Sequence, residues 1–164
     1  MADTPTQQGT VVALADAVVA ALSGAPAGTF GQAFTAQRRF ATVTDLTTLA
    51  ESTAPLVQVV PAVDSEERLG GGATGSFQGD YSVDVVIFAR VGVGDAAETA
   101  CAALMLLRQQ IRDSFKRVAL TVAGTKTCKA VLSGIDGDPA FGQRALIEWH
   151  CFVSAQTLKF RLLP

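Results

Sequence analysis

One histidine, one tryptophan, one tyrosine and three cysteines in 164 residues leave little to do chemistry with. A single imidazole excludes a multi-histidine metal centre. Cys101, Cys128 and Cys151 are odd in number and widely spaced. They lack the paired spacing of a zinc site or a redox motif, and read as three buried thiols in a reducing compartment. Charge of either sign is scarce in excess: 13 Lys and Arg against 15 Asp and Glu give a net −2. That balance supplies no global attraction to nucleic acid or to an anionic membrane. Long hydrophobic runs are missing too. The longest, Ala100–Leu107, is far short of the roughly 20 residues a bilayer span needs.

The N-terminal stretch Val11–Leu22, followed by Ala25-Pro26-Ala27, mimics a signal peptide. No basic residue precedes it and Asp3 and Asp16 accompany it, so a helix is the better reading. The chain is expected to be soluble and made in a cytoplasm.

What is present is core material. Apolar residues make up 49% of the chain and charged residues 17%, a globular balance. The length predicts one domain over residues 1–164. Thr10 is expected to cap a helix reaching about Ser23, with Val11, Leu14 or Ala15, Val18 and Leu22 inward. Gly24, Pro26 and Gly28 end it. Phe30–Val43 reads as extended: Phe30, Phe34 and Phe40 share one parity, but so does Arg38, which suggests an edge strand. A short helical turn is expected from Thr44-Asp45 to about Ala50. Pro55–Val63 reads as a strand that Pro61 places at an edge or near its end.

Asp64–Gly79 breaks all periodicity with five glycines and three acids, and is predicted to be the long loop of a hairpin. Its second strand, 80–93, alternates, with Tyr81, Val83, Val85, Ile87, Ala89 and Val91 on one side. Its other side is only partly polar, so both faces are expected to be covered. Asp95 and Glu98 suggest a capping box for the longest helix. Ala100, Leu104, Leu107, Ile111 and Phe115 form its inward stripe, and Arg108, Gln109, Arg112, Asp113 and Lys116 its polar side. Strands are then predicted at Val118–Val122, Thr127–Ile135, Arg144–Ser154 and Thr157–Leu163, with a turn at Asp136-Gly137-Asp138-Pro139. The order predicts an α+β fold: a mostly antiparallel sheet with two main helices packed on one face.

Four features imitate functional motifs. Gly70-Gly71-Gly72-Ala73-Thr74-Gly75 matches G-x-G-x-x-G, but a strand follows it where a dinucleotide site needs a helix. His150 and Cys151 are neighbours on a predicted strand, so their side chains point apart. Asp64, Glu66 and Glu67 lack calcium-loop spacing and read as a solvated charge run. Asp136 and Asp138 are explained by turn chemistry. The basic sets Arg38-Arg39 and Arg112/Lys116/Arg117 lack aromatic interleaving, so salt bridges or partner contacts suit them better than nucleic acid.

Four stretches carry a resemblance: Val11–Leu22, Phe34–Phe40, Asp45–Leu49 and Val57–Pro61, with the Tyr81–Val91 strand and long helix behind them. Together they resemble small tail-assembly proteins of tailed bacteriophages, nearest to tail terminators and their relatives at the head–tail neck. The likeness covers residues 11–118 and thins over the C-terminal third. It implies a structural virion protein, assembled in a bacterial cytoplasm and resident in the tail or neck. Its partners would be other copies in a hexameric ring, the tail tube protein, a sheath if the tail contracts, and head connector proteins. DNA would pass through the lumen without sequence-specific binding. The resemblance brings no catalytic residue, cofactor or metal, and no membrane.

A ring subunit needs two unlike side surfaces, because head-to-tail contacts close a cycle. The hairpin tip 64–79, with Glu66, Glu67 and Arg68, is one candidate contact; Glu66 and Glu67 would line a lumen and repel DNA. Arg38 and Arg39 are another. The alternating tail, with Leu158, Phe160 and Leu162, either extends as a C-terminal arm (155–164) to a neighbour's sheet or forms the last strand of its own. Other neck, tail-completion or head-closure roles are the alternative. A small-molecule module using the Gly-rich loop and an enzyme with a reactive cysteine are the other two classes, separable by nucleotide titration and by Cys101→Ser and Cys151→Ser.

Overall fold

A computed structural model of the chain describes residues 9–42, 46–48, 54–69, 76–123 and 127–163. The elements in chain order are α1 (Thr10–Ser23), β1 (Thr35–Arg38), a 3-10 turn (Leu46–Thr48), β2 (Leu56–Leu69), β3 (Ser76–Arg90), α2 (Asp95–Phe115), β4 (Ala119–Ala123), β5 (Thr127–Asp136), α3 (Gln143–Trp149) and β6 (Cys151–Leu163). The class is α+β, with three α-helices and a six-stranded mixed sheet in the order β1-β2-β3-β6-β5-β4. β1 runs parallel to β2, and the other four pairings are antiparallel. The sheet curls, so that α1 touches β1 and β4, the two edge strands, as well as β2 and β3. α2 packs on β5 and β6.

One face of the sheet builds the core. Val57 and Val59 of β2, Val83, Val85 and Ile87 of β3, Leu158 and Phe160 of β6, and Val122 and Ala130 of β4 and β5 are wholly buried. They meet Leu14 and Val18 of α1 and Leu107, Ile111 and Phe115 of α2 in one cluster. Phe115 meets Phe160 edge to face at 6.0 Å. Burial of such side chains stabilises by about 1.5–3 kcal/mol each. The other face of β3 is also closed at Val86 and Phe88. There Cys151 donates its thiol to the Leu46 carbonyl at 3.5 Å, which holds the 3-10 turn against that side.

Helix ends differ from expectation. Thr10 and Asp95 are first helical residues, not caps; Gly9 and Gly94 occupy the caps with no side-chain bond. Gly94 takes φ 77°, open to glycine and costly for a residue with a Cβ. Asp95 and Glu98 form no capping box and lie in the first turn, where the helix dipole favours them. Arg108, expected on the polar side, is 5% exposed.

Three predicted elements are corrected, and the open alternative for the tail is decided. Among the described residues of the extended Phe30–Val43 segment, only Thr35–Arg38 pairs as a strand, Val43 lying outside them. The predicted loop is largely strand: β2 continues to Leu69 and β3 begins at Ser76, because the pairing from Val57 and Ile87 propagates through Glu66↔Gly79 and Leu69↔Ser76. The turn between them, including Gly70–Gly75, lies outside the described residues, as do Thr44 and Asp45. Arg144–Ser154 is not one strand, since α3 fills Gln143–Trp149 before β6 starts. The tail is no arm: residues 155–163 lie within β6, between β3 and β5.

Candidate functional site

The hairpin β2–β3 outruns the sheet. β6 accompanies β3 no further than Asp80↔Arg161. Beyond that level, among the described residues, Glu66–Leu69 and Ser76–Gly79 pair only with each other. A two-stranded ribbon alone is marginal in water, so this arm needs local fastening. A register shift between Pro61 and Val63 marks its root. There the Val63 amide donates to Ser82 Oγ at 3.2 Å and Ser65 Oγ donates to the Asp80 carbonyl at 3.3 Å. Arg161 joins Asp80 at 3.1 Å.

The main fastening is Tyr81. Its hydroxyl donates to Glu66 Oε1 at 2.7 Å. Its ring lies over Gly79, where a Cβ would meet Tyr81 Cε2 at 2.2 Å. Glycine is therefore what lets the ring lie flat along the arm. Burial, then the bond to Glu66, pushes the Tyr81 hydroxyl up from 10.0 to about 12.

The other expected contact residues scatter. Glu67 is exposed on the arm. Arg68 pairs with Phe77 through the backbone, and its side chain lies outside the described residues. Arg38 is tied to Asp16 at 2.6 Å and stacks on Phe40 at 4.9 Å, so it is a tertiary ion pair between β1 and α1. Arg39 donates to Gln37 Oε1 at 3.1 Å and is exposed. Arg38 aligns with Val59, roughly 20 Å along the strand from Glu66, so the basic pair and the acidic arm do not meet. Leu158 and Phe160 are wholly buried and Leu162 is half-buried, so the first two serve the chain's own core.

A second feature is a built excursion between β5 and β6. The ladder stops at Asp136↔Thr157 and the chain returns where the Gly142 amide donates to the Val153 carbonyl at 2.8 Å. Arg108 Nη2 donates to the Gly137 carbonyl at 2.8 Å, and Gln156 Nε2 donates to the Arg108 carbonyl at 3.2 Å. Phe141 stacks on Phe152 at 5.8 Å. Burial, helped by Arg112, lowers the affinity of the Arg108 guanidinium for its proton. The excursion borders an open pocket of about 370 Å³ walled by Pro139, Phe141, Val153 and Ala155, with Asp84 and Asp138 beside it. A Cβ at Gly137 would lie 2.1 Å from Arg108 Nη2. Gly137→Ala is therefore expected to destabilise by about 1–2 kcal/mol in urea unfolding, through displacement of the guanidinium.

His150 caps α3 in the left-handed region at φ 53°, and Cys151 donates to the Leu46 and Trp149 carbonyls. Burial raises all three thiols, Glu98 adding to it at Cys101 and Arg90 opposing it at Cys151. Among the described residues no group of three His, Cys, Asp or Glu side chains is placed to hold a metal ion. No helix among them is long and apolar enough to cross a membrane. Sequence reasoning missed Arg108, although its spacing between Leu104 and Ile111 puts it on the inward stripe. No protein-family model matches the chain, and no curated protein matches it.

Proposed function

We propose that the chain is a structural assembly protein that works by docking, of the kind found as tail terminators at the neck of tailed bacteriophages. The observation that carries the reading is the arm. Glu66–Leu69 and Ser76–Gly79 project past the sheet with no third strand among the described residues, and a latch at Tyr81 holds them in one direction. A projecting ribbon fixed at its root is suited to reach a neighbouring subunit. Two main helices on one face of a largely antiparallel sheet would complete a terminator-like layout. In a ring, Glu66 and Glu67 would present negative charge to DNA in transit. The thiols support a non-enzymatic role, because a cysteine nucleophile needs its thiolate favoured and burial does the opposite at all three.

The test is assembly. Purified chain is expected to form a closed ring, hexameric by mass, and to cap tail tubes made from the tube protein encoded nearby, as seen by electron microscopy. A chain that stays monomeric and leaves tube ends bare contradicts the proposal. The 370 Å³ cavity at Gly137–Phe141 favours a second reading, a small-molecule module. It would show as saturable heat on titration of a metabolite panel, lost in a Gly137→Ala chain that still folds.

A further inference from the structure

The single tryptophan sits on a helix with no fully buried residue. α3 has no buried residue; Ile147 is 75% exposed and Trp149 45%. Seven residues do not hold a helix in water unaided. α3 is fastened at its ends, by Gly142 to Val153 before it and by the His150 amide to the Ala145 carbonyl after it. One flank rests half-buried against β6 through Ala145 and Leu146, and the other, with Ile147 and Trp149, faces solvent. The Val91 amide donates to the His150 carbonyl at 2.9 Å, which brings Trp149 to the same end of the sheet as Val93, itself 69% exposed. Charges of both signs lie at this end, acids in the majority: Asp95 and Glu98 begin the adjacent helix and Glu148 pairs with the exposed Arg144, while Arg90 aligns with Cys151.

The opposite end of the sheet offers the complement. On the outer face an open cavity of about 330 Å³ is lined by Val63, Asp80, Ser82, Ser133, Lys159 and Arg161, among others. Its apolar wall, Val63, is 55% exposed, with Val131 and Leu163 exposed nearby. Its rim is basic. Lys159 and Arg161 are held by half-exposed ion pairs to Asp136 and Asp80, and Lys129 donates to Thr121 Oγ1. Surface pairs of this kind contribute little and exchange readily. Ser82 and Arg90 are eight residues apart on β3, roughly 26 Å, so a chain's own Trp149 does not reach its own cavity.

We propose that Trp149 of one copy seats in the outer-face cavity of the next, with Asp95, Glu98 and Glu148 facing Lys129, Lys159 and Arg161. The occupant is a second copy of this chain because both halves of the contact, apolar centre and opposite charge, are present at separated ends of one molecule. Such a contact is head-to-tail and propagates into a ring or a filament. Tryptophan in a pocket is also the side chain that most often dominates an interface. The inference rests on the self-assembly reading and specifies its surface.

The chain reports on itself, since Trp149 is its sole tryptophan. Emission and sedimentation of the full chain are followed together from low-micromolar to near-millimolar concentration. Association is expected to shift the emission to the blue. Ser133→Arg, which fills the cavity from an exposed position, is expected to weaken association about tenfold or more and to keep the emission of a solvated indole. Lys159→Glu replaces it if circular dichroism finds Ser133→Arg unfolded. Copies that associate with an unshifted emission, or variants that shift like the parent, overturn this contact and leave assembly standing. A chain that never associates overturns both.

Discussion

A chain ending at Gln156 is expected not to fold. Residues 157–161 pair on both sides, to β3 from Asp84↔Thr157 to Asp80↔Arg161 and to β5, whose pairing runs on from Asp136↔Thr157 to Lys129↔Leu163. Their removal strips β5 and β4 of their only link to the rest of the sheet. It also deletes Leu158 and Phe160, both wholly buried, and leaves Phe115 without its ring partner. A domain stable by about 5–15 kcal/mol does not survive such a loss. Circular dichroism and proton NMR of the truncated chain are expected to show no cooperative melt and no dispersed methyl signals. The graded version is Phe160→Ala, expected to cost about 3–5 kcal/mol in urea unfolding. An arm destined for a neighbour would behave differently: the truncated chain would fold as a monomer and fail only to assemble.

The ambiguity over that tail shows where local pattern stops. Alternation of Leu158, Phe160 and Leu162 is the same whether a strand pairs in its own sheet or in another. What decides it is the partner, and Tyr81↔Phe160 and Leu132↔Phe160 are long-range pairings that no window of sequence contains. The α+β class, α1, α2 and the central strands were legible because their apolar spacing is long and unbroken. α3 was not. Ala145, Ile147 and Trp149 alternate by coincidence over a seven-residue helix, too short to separate a period of 2 from one of 3.6. The Arg144–Glu148 spacing was the available hint, since four residues apart is a helical pairing and is made at 3.0 Å.

The arm was illegible for the opposite reason. Asp64–Leu69 and Ser76–Gly79 have polar residues and a glycine where a strand normally has β-branched ones, so propensity argued for a loop. Their pairing is imposed by the hairpin behind them and by one diagonal contact, Tyr81 over Gly79 to Glu66. Sequence marked Glu66 as a charge available to a lumen. In the fold its carboxylate already accepts the Tyr81 hydroxyl, so the residue that directs the arm and the residue proposed to meet DNA are the same.

That latch gives the second large effect, a loss of stability in alkali. Tyr81 titrates at about 12 in the folded chain against 10.0 for an unperturbed phenol. The folded value is the higher, so the contribution is complete below pH 10 and disappears as pH rises to about 12. Over that window the unfolded chain releases its phenolic proton first, and stability is expected to fall by about 2–3 kcal/mol. The chain has one tyrosine, so an absorbance titration of the phenolate reads Tyr81 alone. Tyr81→Phe is expected to cost about 1 kcal/mol at neutral pH and to remove this part of the alkaline slope. Glu66→Gln keeps an acceptor but not the charge, and is expected to bring the phenol partway back towards 10.0, because burial remains the larger cause. A phenol that titrates near 10 in the folded parent would mean that the ring does not lie along the arm. The ribbon would then have no fixed direction at its root. If the phenol does titrate high, Tyr81→Phe becomes the sharpest probe of assembly: it frees the arm while leaving Val83, Val85 and Ile87 packed in the core, so any loss of ring formation beyond its small stability cost measures what a directed arm contributes to docking.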